Sequence, residues 1–219
     1  MPTLTRNCEL VFDMKIWAAP NNATNFAGDP TIRINVLFPN VSPVRAVYRF
    51  RRPSKLRAGQ TISSAPLILN YSVGAGSNPR DILIAPILQP GMTVDATWDR
   101  YDGVTAWDSA GGDYVTSVES IHIEGANLAA GAKTYDIANV IERAIALDPN
   151  GEYIDLLIKM NSEALVESFT LNAYEDADGV RDAEAPTLAV VFDPDASLHT
   201  VGLEGGGARL AFNGQSLAP

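Results

Sequence analysis

Residues 96–112 read ATWDRYDGVTAWDSAGG, and this stretch decides the fold. Two tryptophans, Trp98 and Trp107, bracket a polar turn that contains a glycine. A second stretch, residues 174–192, reads YEDADGVRDAEAPTLAVVF and combines an acidic loop with a short apolar run. That run, residues 188–192, is unbroken, rich in β-branched residues and bounded by turn residues, so it predicts a closing β-strand. Together the two stretches indicate a β-sandwich.

Short strand-like runs recur along the whole chain and are separated by proline and glycine. Proline is confined to strand edges and turns, and glycine supplies permissive backbone at bends. This regular alternation of short strands and turns predicts an all-β fold, an antiparallel β-sandwich of the jelly-roll type. The predicted strands cover residues 8–18, 31–38, 45–51, 64–73, 82–87, 114–123, 154–159, 168–174 and 188–192.

One segment has a helical period instead. In YDIANVIERAIALDPNG, residues 135–151, the apolar residues recur at spacings of three and four. Asp136 is a suitable N-terminal cap, and Pro149 and Gly151 stop the helix. The pattern predicts one short crossover helix at about residues 136–148, which we expect to close one open end of the sandwich.

The chain divides into a body and a tail. Residues 1–192 have the length and apolar content of one β-sandwich domain. Residues 193–219 are rich in glycine and alanine and cannot form a core alone. The tail is either a poorly ordered terminus or an arm that docks on a neighbouring subunit, and Leu210 and Phe212 are then its apolar contacts.

Charge excludes several classes of partner. The chain has 26 acidic and 16 basic residues and a net charge of −10, so binding of nucleic acid or of an anionic membrane is not expected. Residues 45–57 are the exception, because basic side chains are concentrated there. They form either a solvated strand face or an interface with an acidic partner. The interface candidates are Arg49, Arg51, Arg52, Lys55 and Arg57.

The sequence also bears on where the protein is made. Cys8 is its one cysteine, so neither an intrachain disulfide nor a zinc site of the CxxC type is expected. The N-terminal residues lack the pattern of a signal peptide, and no run is long and apolar enough for a membrane helix. We therefore expect synthesis in a host cytoplasm without export.

Catalytic signatures are weak. The histidines, His122 and His199, are far apart, and there is no GxSxG nucleophile motif, so we expect no enzymatic activity, no catalytic residues and no organic cofactor. A bound metal is not expected either, with one alternative left open. Asp176, Asp178 and Asp182 cluster oxygen ligands around a glycine turn, so they either hold a structural Ca²⁺ ion or form a solvated acidic loop.

The aromatic residues of the opening stretch have two interpretations. Trp98, Tyr101 and Trp107 provide flat π-faces of the kind on which sugar rings stack. Alternatively, Trp98 anchors the core and Trp107 seals the loop on it, while neighbouring polar side chains latch the loop by hydrogen bonds. The second interpretation is favoured.

Several segments, in order, resemble the DNRLRE-type domain, a jelly roll of the carbohydrate-binding-module kind. The first are residues 13–35 (opening strand and loop), 47–70 (with YRF and SSAPLILNY) and 96–112 (the tryptophan loop). They are followed by the helix at residue 136 with residues 154–158 (crossover helix and penultimate strand) and by residues 174–192 (acidic closing loop and last strand). The resemblance covers about residues 10–192. It implies a domain found in secreted polysaccharide-degrading systems, in cell-wall proteins and in structural proteins of bacteriophages.

The resemblance and the absence of an export signal favour the bacteriophage case. The expected function is that of a non-enzymatic virion protein, a capsid decoration or cement protein that binds the major capsid protein, stabilises the particle and forms a homotrimer. The alternative is a carbohydrate-binding module or a receptor-binding head or tail spike that recognises host surface glycans through Trp98, Tyr101 and Trp107.

Overall fold

The computed structural model describes residues 3–18, 21–29, 31–37, 42–73, 80–116, 121–126, 130–161, 163, 168–173, 183–193, 211–212 and 215–216. These residues form fourteen strands and one helix. In chain order the elements are β1 (Leu4–Cys8), β2 (Leu10–Trp17), β3 (Thr31–Leu37), β4 (Ser42–Arg51), β5 (Ile62–Ser64), β6 (Pro66–Val73), β7 (Arg80–Pro86), β8 (Ile121–Ala126), β9 (Gly131–Asp136), α1 (Ala138–Leu147), β10 (Tyr153–Met160), β11 (Ser168–Asn172), β12 (Thr187–Phe192), β13 (Ala211–Phe212) and β14 (Gln215–Ser216).

Twelve strands, β1 to β12, form one antiparallel hydrogen-bonded network that folds into two layers. The first layer has the order β2, β4, β10, β7, β8. In the second layer, β6 pairs along one edge with β9 and along the other with β12 and β11. β1 and β5 pair with β12. The layers meet at β3, which pairs with β11 and, through Asn35 to Leu37, with the start of β4. The predicted all-β sandwich is confirmed.

The main core lies between the layers. Alternate residues of β4, namely Ala46, Tyr48 and Phe50, point into it, because successive side chains of a strand face opposite sides. Large buried side chains from the second layer, including Tyr71 and Phe169, meet them there. The other face of β4 is therefore the outer face of the first layer.

The helix α1 bridges the two layers. It buries Val140, Ile141, Ala144 and Ile145 against β5 of the second layer and against β7 and β10 of the first. The sequence predicted the helix within two residues at its start and one at its end. Its position between the layers agrees with the expected closure of one end.

Asp136 acts one residue earlier than a conventional cap. The N-cap position is Ile137, and the Asp136 carboxylate accepts hydrogen bonds from the backbone N–H groups of Ala65 (2.8 Å) and Ala138 (3.2 Å) and from the Ser64 hydroxyl (2.8 Å). It thus joins the start of the helix to the β5–β6 connection. Hydrogen bonds, first from Ala65 and then from Ser64 and Ala138, hold the pKa of Asp136 below its ordinary value.

The structure departs from the sequence-based strands in three places. β1, β5 and β9 were not predicted as separate strands. The strand predicted at 114–123 begins only at Ile121 in the described part of the chain, while Tyr114 makes one isolated bridge to Ile87. In the tail, β13 and β14 pair with each other as a short hairpin that contains Phe212, whereas Leu210 lies outside the described residues. The division at residue 192 stays a prediction.

Candidate functional site

The loop formed by residues 88–116, here called the tryptophan loop, covers the outer face of the first layer. A second apolar cluster lies beneath it, separate from the main core. Strands and loop contribute to this cluster together, so the sheet is buried on both faces. The cluster comprises Met14, Ile16, Val47, Ile87, Met92, Ala96, Trp107 and Leu157.

Trp107 is the centre of the second cluster. Only 5% of the residue is exposed, and its indole N–H donates a hydrogen bond of 2.9 Å to the carbonyl of Thr97. The ring of Tyr101 packs against it with centroids 5.6 Å apart. A ring that is enclosed in this way has no free face on which a sugar could stack. Trp107 therefore seals the loop on the sheet.

Trp98 is half-buried and is held by the sheet from below. The guanidinium carbon of Arg45 lies 4.7 Å from its ring centroid, which is a cation–π contact. The Trp98 carbonyl accepts a hydrogen bond of 2.6 Å from the Gly111 N–H, and the Gly111 carbonyl accepts one of 2.6 Å from Arg45 Nη1. Gly111 has φ +91°, and a Cβ there would lie 2.5 Å from the Trp98 ring. Only glycine fits this position without displacing the ring.

Carboxylates fix the turns of the tryptophan loop. Asp113 accepts hydrogen bonds from the N–H groups of Asp108 and Ser109, both at 2.6 Å. Asp102 accepts bonds from Thr105 and Val104, and these bonds lower the pKa of its carboxyl group. These contacts make the loop a rigid cover.

A neighbouring loop, residues 21–29, supports the tryptophan loop from the side. The amide of Asn22 donates to Asp99 at 2.6 Å, and the amide of Asn25 donates to the carbonyl of Val94 at 2.6 Å. The tryptophan loop is thus held from the side as well as from below.

Two arginines of β4 lie under or beside this cover. Arg49 is buried and binds Asp155 of β10 through two hydrogen bonds of 2.7 and 2.6 Å. Its guanidinium also lies between the rings of Tyr153 (4.6 Å) and Phe12 (5.4 Å). Burial raises the pKa of Asp155, and the charge and hydrogen bonds of Arg49 oppose that rise. The pair borders a cavity of about 190 Å³ between the tryptophan loop and the end of α1.

Arg45 forms the second ion pair of this face. Its Nε and Nη2 atoms bind the Glu163 carboxylate at 2.7 and 2.8 Å. Lys159 lies beside this pair, 3.5 Å from Glu163, and donates a hydrogen bond of 2.9 Å to the Met160 carbonyl. Burial lowers the pKa of Lys159, and Glu163 partly offsets this effect. The charged groups under the loop are thus paired with one another, which is what burial requires.

The structure divides the five basic interface candidates into two groups. Arg49 is buried on the side of the sheet that the tryptophan loop covers and is engaged by Asp155, so it does not lie on a solvated face. Its assignment to an interface stays a prediction. Arg51 is exposed and pairs with Glu9 at 3.1 Å. Lys55 and Arg57 are exposed and form no side-chain hydrogen bond or ion pair with the described residues.

Arg52 forms one wall of a polar groove at the edge of the sandwich. Its Nε atom donates to the Leu56 carbonyl at 2.7 Å, and its Nη1 atom contacts the carbonyls of Asp148, Pro149 and Gly151 at 3.0 to 3.2 Å. The groove has a volume of about 400 Å³. Its lining comprises Arg51, Arg52, Pro53, Ser54, Leu56, Arg57, Pro149, Asn150, Gly151 and Glu152, and this set is called the basic groove below.

The predicted calcium ligands are the remaining candidates. Asp176, Asp178 and Asp182 lie outside the described residues, so the calcium prediction stays a prediction. Within the described ranges, no group of three or more histidine, cysteine, aspartate or glutamate side chains is arranged to hold a metal. No helix in the described part of the chain is long and apolar enough to cross a membrane.

Sequence reasoning missed the partners of the inward arginines. The alternation of β4 places Arg45, Val47 and Arg49 on one face, which is readable from the sequence. Asp155 and Glu163, which neutralise the two arginines, are more than one hundred residues away in the chain. A buried acidic residue in the middle of an apolar strand, such as Asp155 in YIDLLIKM, is the signal that points to a buried partner.

Comparison with known proteins identifies no family. No protein-family model matches the chain, and no curated protein matches it. Among solved structures, the chain is similar to the K1 cleaved adhesin domain of Lys-gingipain from Porphyromonas gingivalis W83. The identity is 11%, the match covers 86% of this chain and 98% of that chain, and the TM-score is 0.28. A likeness of this size carries no functional argument, and the DNRLRE-type resemblance stays a prediction.

Proposed function

We propose that this chain is a non-enzymatic structural protein of a bacteriophage particle, a capsid decoration or cement protein that binds the major capsid protein and assembles as a homotrimer. The observation that carries the proposal is the engagement of the tryptophan loop. Trp107, a predicted sugar-stacking residue, and Arg45 hold the loop on the sheet instead, and Arg49 pairs with Asp155 of the neighbouring strand β10. The rigid sandwich is what a stabilising subunit requires.

Decoration also agrees with the resemblance and with the chemistry of the chain. A protein repeated many times on a particle gains stability and avidity from modest contacts, so it needs neither a deep pocket nor a catalytic centre. The acidic composition disfavours contact with packaged DNA and is compatible with a position on the outer surface.

The glycan-binding alternative retains limited support. Trp98 and Tyr101 are half-buried, so parts of both rings face solvent. Trp107, the third member of the predicted platform, is enclosed. A carbohydrate-binding site here would consist of the two partly covered rings of Trp98 and Tyr101. Arg45 already occupies one face of the Trp98 ring.

A binding assay on particles and glycans separates the two functions. Purified protein is mixed with phage particles that lack it and sedimented, and the same protein is applied to an array of bacterial surface glycans. Decoration predicts saturable co-sedimentation with the particles and no glycan signal. Glycan binding that is lost in Trp98→Ala with the fold intact, together with no recovery on particles, would reject decoration in favour of the alternative.

A further inference from the structure

The basic groove presents arginine side chains at the surface of this acidic protein. Arg57 and Lys55 make no side-chain hydrogen bond or ion pair with the described residues. Arg52 uses its Nε and Nη1 atoms on carbonyl oxygens and leaves Nη2 without a partner among those residues. The Arg57 side chain and Arg52 Nη2 are therefore positively charged donors that have no hydrogen-bonded acceptor among the described residues.

Arg52 is held in place before any ligand arrives. Four carbonyl oxygens fix its guanidinium at the end of α1, so little side-chain entropy is lost when its free edge binds an anion. Partial burial lowers its pKa, the charge of Asp148 opposes that effect, and the charge of Arg57 adds to it. The two guanidinium groups thus repel each other across the groove, and an anion between them relieves that repulsion.

One acidic side chain opposes this arrangement. Glu152 lines the same groove, and Arg51, at the other wall, is already neutralised by Glu9. The usable positive charge of the groove lining is accordingly that of Arg57 and the free edge of Arg52. Lys55 does not line the groove, but it lies between the lining residues Ser54 and Leu56 in the sequence and adds an exposed charge there. Three donors of this kind suit separate carboxylates on a short segment, because arginine binds carboxylate oxygens in pairs.

The groove and the chain's overall charge restrict the class of ligand. A nucleic acid or an anionic membrane would present a long array of negative charge to a protein of net charge −10, and repulsion outside the groove would oppose its binding. A short acidic segment presents far fewer negative charges, and the groove has a volume of about 400 Å³ in which to hold it. A second copy of this chain would bring another ten net negative charges with it.

We infer that the basic groove binds an acidic polypeptide segment of a partner protein, whose carboxylates contact Arg57, Lys55 and the free edge of Arg52. This inference rests on the proposed function in one respect, since a capsid subunit is then the source of the segment. The recognition itself depends only on the groove.

Fluorescence anisotropy with a labelled hexaglutamate peptide tests the recognition. The wild-type protein should bind this peptide, with affinity that falls as salt is raised, and should not bind hexalysine. Lys55→Glu/Arg57→Glu should weaken binding about tenfold or more, because two attractive contacts become repulsive. Arg6→Glu, an exposed charge reversal on β1 remote in sequence from the groove, is the matched control and should bind as the wild type does.

A gain-of-affinity variant makes the test sharper. Glu152→Gln removes the negative charge that lines the groove and should tighten hexaglutamate binding about threefold. Circular dichroism of each variant checks that the fold is intact. Absence of hexaglutamate binding by the wild type at millimolar protein, or equal losses in the groove variant and in Arg6→Glu, would overturn the inference.

Three further readouts identify the occupant. Inorganic phosphate that displaces the peptide at equal concentration would make the groove a site for small anions and reject the peptide. A groove variant with a changed sedimentation coefficient would make a second copy of the chain the occupant. Loss of particle co-sedimentation in the groove variant supports a capsid partner, whereas a wild-type protein that binds hexaglutamate but no particle rejects the proposed function and leaves the recognition standing.

Discussion

Gly111 is the residue on which the closure of the tryptophan loop depends. Its N–H donates a hydrogen bond to the Trp98 carbonyl, and its carbonyl accepts one from Arg45. Because it has no side chain, the Trp98 ring can pack directly against it. The backbone of Gly111 has a φ of +91° and also lies close to the Trp98 ring. Each of these two features alone favours glycine.

Gly111→Ala should therefore be far more destabilising than a backbone penalty alone. Gly91 is the matched control, because it has the same φ of +91° and nothing within 4 Å of a Cβ built on it. Gly91→Ala should cost about 1 kcal/mol of unfolding free energy, and Gly111→Ala about 3 kcal/mol or more. Urea denaturation measures both. Equal costs would mean that the ring moves aside without penalty.

The burial of arginine side chains on β4 could not be predicted from the sequence. Strand alternation places Arg45 and Arg49 on one face of the sheet, but it does not say whether that face meets water or a loop. The cover is the tryptophan loop, and the acceptors, Asp155 and Glu163, lie more than one hundred residues further along the chain. Arg51 and Arg57 are exposed, whereas Arg49 is buried, and the interface assignment of all three stays a prediction.

At the scale of elements, the helix and the connection between β5 and β6 are joined by one carboxylate. The Asp136 carboxylate accepts hydrogen bonds from the backbone N–H of Ala138 at the start of α1 and from that of Ala65 in the connection. The sequence identified Asp136 as a cap but could not show its second role, because Ala65 is 71 residues away.

This carboxylate should contribute to the pH dependence of stability. Because its folded pKa is below the ordinary value of 3.8, its contribution is present above that value and is lost as the pH falls through the folded pKa. Asp136→Ala should lose about 1 kcal/mol at about pH 7. The difference from the wild type should shrink at about pH 3. Urea denaturation at both pH values measures this difference in unfolding free energy. An equal difference at both pH values would contradict a stabilising role of the Asp136 charge.

The strands that the sequence missed share a physical cause. β1 and β9 lie at edges of the second layer and are largely exposed, so their residues do not alternate between apolar and polar. The buried strands, such as β4 and β10, carry the strong patterns and were found. Edge strands are specified by the neighbour they pair with, which a local pattern does not contain.

At the scale of the whole molecule, the body and the tail have different kinds of sequence. The body has two apolar clusters, whereas the tail contributes a two-stranded hairpin, β13 and β14, that pairs within itself. Such a hairpin is marginally stable alone, which is consistent with an arm that gains its order from a neighbour.

Deletion of residues 208–219 tests this division. The melting temperature of the body should change little, because both apolar clusters lie in the body. Occupancy on phage particles should fall, since the arm is proposed to supply contacts to a neighbouring subunit. Calorimetry and co-sedimentation measure the two effects. Undiminished occupancy after the deletion would contradict the arm.

The pairing of β1 with β12 has a mechanical consequence. Leu4 lies opposite Phe192, so the two strands nearest the ends of the body are adjacent and antiparallel, and residues 3 and 193 leave from the same end of the pair. Tension applied at these two points pulls across the ladder and loads its hydrogen bonds one after another, as in a zipper, instead of loading all of them in shear. The body therefore resists pulling poorly when force is applied at residues 3 and 193.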